Sequence, residues 1–416
     1  MNRGTKVVIA LVVISAMILT TIVRYHYYVY DEDEDLFVRA DDSQATPAGV
    51  ATLVQGSNQF SVNLLKNLSQ QNANAFFSPI SIFLTLAMCY EGAKGITAEE
   101  MITVLNFSED NISRRSSFAR LYNNMNEKRK GFELKTANGM WVQEDFPILE
   151  EYVEIIEQFY MAETGNLDFH EEPEKSREVI NSWIKEKTDG KIKEIIPPGS
   201  FGPYTELALA NAIHFIGNWD IVFEEEDTWD TEFTTDRNET VTVPMMCLSQ
   251  KTLNYFINDE VQMVKLDYKG KQNSMVVMLP RENDLDFFIQ NLSYEKIEEW
   301  RSGLAAEKIN LHLPKFSLDL KYNLNEVLSD MGMPSAFFGA DFSGINGAGG
   351  IWIDEVIHQA RIDVNEKGTE ASASTVAHYA SCIYPTFYAN RPFIFFIQDD
   401  ETGNILFMGK VVNPLG

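Results

Sequence analysis

The sequence predicts an α+β fold built as one large domain. Three observations carry this. Apolar residues recur at helical spacing in the first half, and β-branched runs, some alternating with period two, dominate the second. The chain then closes on two apolar runs flanking Asp399-Asp-Glu-Thr-Gly403, a hairpin signal. Segregation of helices from strands separates this class from the alternating pattern of a parallel α/β protein. No internal repeat or second linker interrupts residues 49–416, so the whole stretch is assigned to one domain.

Taken in order, residues 1–6 form a short stub. Residues 7–23 carry no charge and, at about 1.5 Å per residue, reach roughly 25 Å, slightly under a bilayer core. Arg3 and Lys6 precede them, and Tyr27, Tyr28 and Tyr30 follow where an interfacial belt would lie. The segment reads as a transmembrane signal anchor or a cleaved signal peptide. Either places the remainder outside the cell or at its surface. Residues 24–48, acidic and then small and polar, read as a linker.

Within the domain, Gly56–Leu68 and Ile80–Tyr90 read as helices. Thr97-Ala-Glu-Glu100 reads as a capping box opening another, with Thr97 bonding the turn and Glu100 reaching back. Glu150–Tyr160 and Glu174–Thr188 add two more, the second ended by Asp189-Gly190. Leu207–Ile216, Thr240–Met246, Val261–Tyr268, Ser274–Leu279, Ile309–Pro314 and Ile351–Val364 read as strands. Arg391–Gln398 and Asn404–Val412 form the closing pair.

Hydrophobic content of 45% supplies a sizeable core. A net charge of −27 argues against nucleic acid or an anionic membrane surface as the main partner. A basic cluster of Arg114, Arg115, Arg120, Lys128, Arg129 and Lys130 reads as a solvated helix face and loop, with a local polyanion site as the alternative. Three cysteines without a CxxC pair are no disulfide framework. Cys89 and Cys247 read as buried small hydrophobes. Cys382 lies in a polar segment and is a reactive thiol if exposed.

No G-x-S-x-G elbow, H-E-x-x-H helix or Walker loop occurs. His170-Glu-Glu-Pro-Glu174 lacks the second histidine that a helical metal site needs, and Gly344–Gly350 reads as an irregular surface loop. No catalytic residue, metal or cofactor is therefore assigned.

Glu366–Thr375, Glu-Lys-Gly-Thr-Glu-Ala-Ser-Ala-Ser-Thr, is the most informative stretch. With period two, Thr369, Ala371, Ala373, Thr375, Ala377 and Tyr379 share one face, and Glu370, Ser372, Ser374, Val376 and His378 the other. One face is small enough to slide into a packed sheet and the other is mostly polar. A loop built to become a strand has this pattern. On the segment alone, a flexible Ala/Ser linker fits as well.

Several stretches, in order, resemble the serpin family. Asn74-Ala-Phe-Phe-Ser-Pro-Ile-Ser-Ile82, Gly92-Ala-Lys-Gly-Ile-Thr-Ala-Glu-Glu-Met101, Asn211-Ala-Ile-His-Phe-Ile-Gly-Asn-Trp219 and Val243-Pro-Met-Met246 come first. Leu311-His-Leu-Pro-Lys-Phe316, Glu355-Val-Ile-His-Gln-Ala360, Glu366-Lys-Gly-Thr-Glu-Ala371, Asn390-Arg-Pro-Phe393 and Leu406-Phe-Met-Gly-Lys-Val-Val-Asn-Pro414 follow. The resemblance spans about Gly56 to Gly416. It implies a single domain of three β-sheets and about nine helices with an exposed reactive-centre loop. It also implies suicide-substrate inhibition of serine-type endopeptidases, in which the cut loop inserts as a new strand of the central sheet before the acyl-enzyme is hydrolysed.

On this resemblance Glu366, Gly368, Thr369, Glu370, Ala371, Ser372, Ala373, Ser374 and Thr375 match the hinge. Ser78, Ser81, Asn211 and His358 match the shutter beneath the sheet, and Trp219 the breach where the loop enters. No proline lies between Gly368 and Tyr384, so every inserted residue keeps its ladder N–H. Two counts place the reactive bond at Cys382–Ile383 or at Ser381–Cys382. A small uncharged residue there points away from trypsin-like targets. It fits elastase-, subtilisin- or chymotrypsin-like serine proteases, or papain-like cysteine proteases. The expected partners are thus a target protease and, through residues 7–23, a membrane, with no nucleic acid and the chain acting as a monomer. The alternative is a non-inhibitory member acting as a carrier, storage or binding protein.

Overall fold

A computed structural model describes residues 39–69, 73–127, 131–188, 190–192, 194–369 and 384–416, and the main domain runs from Ala40 to Gly416. Residues 7–23 lie outside the described residues. Among those described, no helix is long and apolar enough to cross a membrane.

The first third is helical, as its periodicity predicts. Helix α1 (Pro47–Leu68) starts where Thr46 accepts the Gly49 N–H at 3.0 Å and Pro47 presets the first turn. After a short strand β1 (Ala75–Phe77), α2 (Pro79–Gly92) is apolar on nearly all sides and buried accordingly. Helix α3 (Gly95–Leu105) and α4 (Asn111–Asn126) follow, the latter capped by Asp110.

The chain departs from its sequence pattern in two places here. The linker stops short of residue 48: Ala40 is 3% exposed, and its N–H and C=O both bond the Asn123 side chain, at 2.9 and 3.0 Å. The capping box at Thr97 does not form. Lys94 is the cap residue, Thr97 is buried and accepts the Asp341 N–H at 3.0 Å, and Glu100 accepts from the Ser335 N–H and hydroxyl at 2.9 and 2.6 Å. Partners distant in sequence outcompete the local cap.

Strand β2 (Phe132–Gln143) then runs through a region the pattern left unassigned. It is followed by α5 (Glu150–Ile155, continued by one wide turn to Tyr160), β3 (Glu163–Leu167) and α6 (Pro173–Lys187). The strand-rich half holds β4 (Leu207–Asn218), β5 (Trp229–Thr234), β6 (Thr240–Ile257), β7 (Val261–Asp267) and β8 (Asn273–Pro280). Short helices α7 (Leu285–Gln290) and α8 (Tyr294–Ser302) precede β9 (Ala305–Pro314) and β10 (Phe316–Asn323). Helices α9 (Asn325–Asp330) and α10 (Ser343–Asn346) lead to β11 (Glu355–Asn365), β12 (Gly368–Thr369), β13 (Thr386–Tyr388), β14 (Phe393–Asp399) and β15 (Ile405–Val411). The glycine-rich loop thus begins as a helical turn, which the buried Asn346 side chain closes by accepting from Ala348 and Gly349 N–H.

The strands form three sheets. The central one has the order β10-β11-β12-β4-β2-β3. The remaining strands run in one ladder, β1-β15-β14-β8-β7-β6-β9-β13, with β5 against β6. A register break between Leu248 and Lys251 in the β6–β9 pairing divides this ladder into two sheets. Strands β8, β14 and β15 are buried along their whole length, as their unbroken apolar runs require. The central sheet packs one face on this core through Leu207, Leu209, Ile213 and Phe215 of β4. Its other face lies under α6, where Ala208, Ala210 and Ala212 meet Ile180 and Ile184.

Candidate functional site

The central sheet contains a seam. Strands β4 and β11 pair in parallel from Ala208 opposite Glu355 to His214 opposite Arg361. Above that, β12 stands between them. Gly368 pairs with Asn218 and Asn365, and Thr369 with Gly217 and Val364, antiparallel on both sides. Gly368 has φ of +148°, and a Cβ on it would lie 2.0 Å from the Gly217 carbonyl oxygen. Only glycine fits this wedge.

The seam's upper end is held by Trp219, 1% exposed and stacked on Tyr268 with ring centroids 4.7 Å apart. Its indole N–H donates to the Asn365 carbonyl and its backbone N–H to the Lys367 carbonyl, both at 2.9 Å. Phe223 N–H donates to the Glu366 carbonyl at 2.9 Å. The Glu366 carboxylate accepts from Lys315 Nζ at 2.9 and 3.0 Å and from the Thr228 hydroxyl at 2.9 Å. Burial works against its charge, but the bonds from Lys315 and Thr228 outweigh it and hold the carboxyl below its usual range.

Lys315→Ala would leave that carboxylate short of its cation. The expected result is a loss of about 1–3 kcal/mol of native stability, the usual cost of stranding a largely buried charged partner. Denaturant unfolding of the uncleaved chain at neutral pH measures it, and an unchanged midpoint would refute it.

Halfway down the seam a polar cluster is sealed in the core. The Ser78 N–H donates to His358 Nε2 at 3.0 Å, and the Ser78 hydroxyl to the Leu406 carbonyl at 2.7 Å. The Ser81 hydroxyl donates to Asn211 Oδ1 at 2.6 Å, and His358 Nδ1 lies 3.3 Å from the same oxygen. Asn211 Nδ2 in turn donates to Asn138 Oδ1. Because Nε2 accepts, the ring proton belongs on Nδ1, so His358 is neutral. Burial alone pushes its pKa down to about 3. Asn211 and His358 sit opposite each other across the β4–β11 ladder, so this cluster bridges the two strands.

Ser78, Ser81, Asn211 and His358 are therefore brought together, and Trp219, Glu366 and Gly368 are brought together above them. Residues Glu370–Thr375 of the hinge and both versions of the reactive bond at Ser381, Cys382 and Ile383 lie outside the described residues. Asn138, Tyr268, Lys315 and Thr228 complete the site without having been singled out by sequence reasoning. Lys315 alone had a signal, since it lies within the Leu311–Phe316 motif.

The basic cluster follows its solvated-face reading only in part. Arg114 and Arg115 bond Glu91 at 3.0 and 2.7 Å, and Arg120 bonds Asp42 at 2.6 Å, while residues 128–130 lie outside the described residues. Arg114 is 3% exposed rather than solvated, because Glu91 is buried beneath it.

The described residues thus define a single α+β domain whose central sheet is parted at one end by the start of a loop. Comparisons with known proteins agree. The family model described as Serpin (serine protease inhibitor) matches residues 55–414. A serpin-like protein of Thermococcus kodakarensis is 40% identical over 369 residues, covering 87% of this chain and 86% of the relative. The leukocyte elastase inhibitor of Bos taurus is 36% identical, covering 87% and 99%. Uncleaved ovalbumin superposes with a TM-score of 0.79 at 29% identity, covering 87% of this chain and all of that one. The chain belongs to the serpin family, which holds protease inhibitors and non-inhibitory members.

Proposed function

We propose that this serpin is a suicide-substrate inhibitor of serine-type endopeptidases that traps the acyl-enzyme by inserting its cut loop between β4 and β11. The observation that carries this is the double pairing of β12, which supplies both a start point and a register. Continued residue by residue, Ala371 falls opposite Phe215 and Ile362, Ala373 opposite Ile213 and Ala360, and Thr375 opposite Asn211 and His358. These partners are all at most 3% exposed, so the core side of this upper part of the seam admits only small side chains. The small face of the loop is the face the register delivers there. Glu370 falls opposite Ile216 and Asp363, both half-buried, where a charge can reach water.

Insertion replaces one parallel ladder with two antiparallel ones. At about 1 kcal/mol net per added backbone bond, some ten inserted residues gain on the order of 10 kcal/mol. Cleavage releases this gain by freeing the loop's far end. The bond is Cys382–Ile383 or Ser381–Cys382, with elastase-, subtilisin- or chymotrypsin-like proteases or papain-like cysteine proteases as targets. Residues 7–23 would tether the inhibitor to the cell surface, or direct its secretion.

The test is incubation of the chain with a panel of such proteases, followed by denaturing gels and the mass of the released C-terminal peptide. A covalent complex that survives denaturation is the expected result, and the peptide mass fixes the bond. The likeness to a solved human thyroxine-binding globulin, 28% identical, supports the second reading, a non-inhibitory carrier, storage or binding role. Cleavage by every protease without a complex, and without a rise in melting temperature, would select it.

A further inference from the structure

A cleft of about 200 Å³ opens on the surface between α7, α8, the β6–β7 turn and the end of β8. Its wall is aromatic. Trp300 of α8, 2% exposed, forms the floor, and Phe288 of α7 stacks on it with ring centroids 5.7 Å apart. Phe287 turns outward and is 64% exposed, because Leu285 and Ile289 take the inward positions of the same short helix. No lining residue belongs to β4, β11 or β12, so the cleft is independent of the seam.

The rim is acidic. Asp259 and Glu260 come from the β6–β7 turn, Glu282 from the segment after β8, and Asp284 is the residue before α7. These four carboxylates face one cation, Lys296, while Arg281 does not line the cleft. Lys296 is committed to Glu260 at 2.5 Å, and Asp284 accepts the Phe287 N–H at 2.9 Å. Among the described residues, the Asp259 and Glu282 carboxylates make no hydrogen bond or ion pair.

Two features decide what this cleft takes. Among the described residues, no three acidic, histidine or cysteine side chains come together as a metal site. A compact inorganic cation therefore finds no cage of ligands here. An organic cation finds what it needs, rings for its apolar body and carboxylates for its charge. Lys296 already shows the arrangement. Its Nζ stands 5.8 Å over the Trp300 ring while bonding Glu260, an alkylammonium held between an indole face and a carboxylate. The volume lies below the roughly 300–1,000 Å³ of sites for drug-sized ligands, which restricts the occupant to a small molecule.

We propose that this cleft binds a small organic ammonium ion, with its alkyl groups on Phe287 and Phe288 and its charge toward Asp259 and Glu282. Such exposed contacts are individually weak, so the expected dissociation constant is on the order of 10 mM.

The test follows the indole N–H signals of the chain's six tryptophans by nuclear magnetic resonance. Tetramethylammonium chloride or the diamine putrescine is added at an ionic strength held constant with sodium chloride. The Trp300 signal, identified by its loss in Trp300→Phe, should move and saturate while the other five stay. If Trp300→Phe does not fold, the backbone amide of Phe287 serves as reporter. Phe287→Ala and Glu282→Gln, both at exposed sites, should each weaken binding about three- to fivefold. No movement at about ten times the expected constant overturns the site. So does equal movement with sodium alone, joint movement of all six signals, or unchanged affinity in Phe287→Ala, since each reduces the cleft to an acidic surface. Tighter binding of tetramethylammonium assigns a methylated ammonium, and tighter binding of putrescine a primary amine, and either upholds the site.

Discussion

Ala373→Glu is expected to convert the inhibitor into a substrate. On the proposed insertion, continuing the Gly368–Thr369 register brings residue 373 opposite Ile213 and Ala360, both fully buried on the core side of the central sheet. A carboxylate arriving there must lose its hydration or take up a proton, at a cost of several kcal/mol. Each 1.4 kcal/mol slows insertion about tenfold, so a 3–4 kcal/mol penalty slows it roughly 100- to 1,000-fold. Deacylation then wins. Titration of protease with inhibitor should show many molecules cut per protease trapped, with cleavage at the parental bond. An unchanged stoichiometry would mean that residue 373 does not enter the core, and the register would be wrong. Glu370 in the natural loop is the internal contrast, because its register position is half-buried and opens to water.

His358 is expected to dominate the loss of native stability in mild acid. Its folded pKa of about 3 lies below the ordinary 6.5, so the unfolded chain takes up the proton first. Its contribution is complete above pH 6.5 and falls away as pH drops toward 3. Over the full window this amounts to roughly 4–5 kcal/mol at about 1.4 kcal/mol per unit. Glu366 acts with the same sign but only below its reference value of 4.5, since its folded carboxyl is lowered. Glu206, Asp354 and Glu355, whose carboxyls burial raises, act with the opposite sign. The comparison that isolates the imidazole is therefore between the parent and His358→Gln from pH 7 to 5. The variant should be less stable at pH 7, where Ser78 and Asn211 lose a fitted partner, yet should lose less stability on acidification. Parallel curves would show that the ring does not titrate with folding.

Much of this architecture was legible because the pattern was local. The closing strands β14 and β15, the buried β8 and the helices α1 and α2 are each specified by their own apolar runs. Strand β2 was not, because Phe132–Gln143 carries Glu, Lys, Thr, Asn and Gly that alternate only against a sheet contributed from elsewhere. Thr97 was misread for the reverse reason: a good local cap was claimed by a distant backbone N–H. The site is harder still. Ser78, Ser81, Asn211 and His358 come from three separated segments, and nothing in their spacing says they meet. Family resemblance named them. Asn138, lying in the unassigned strand, stayed hidden, as did Tyr268, whose role is a ring stacked on Trp219.

The wedge at Gly368 sets the end from which the seam can open. The parallel ladder below it can be undone from only one end if the loop advances from β12, so position along the seam becomes order in a sequence of events. A fault near Ala371 delays the first step and leaves the protease near its starting place. A fault near residue 377 halts a protease already carried most of the way. Two substitutions of equal thermodynamic cost should therefore differ in where the protease stops, a distinction that distances between labels on the two proteins would record.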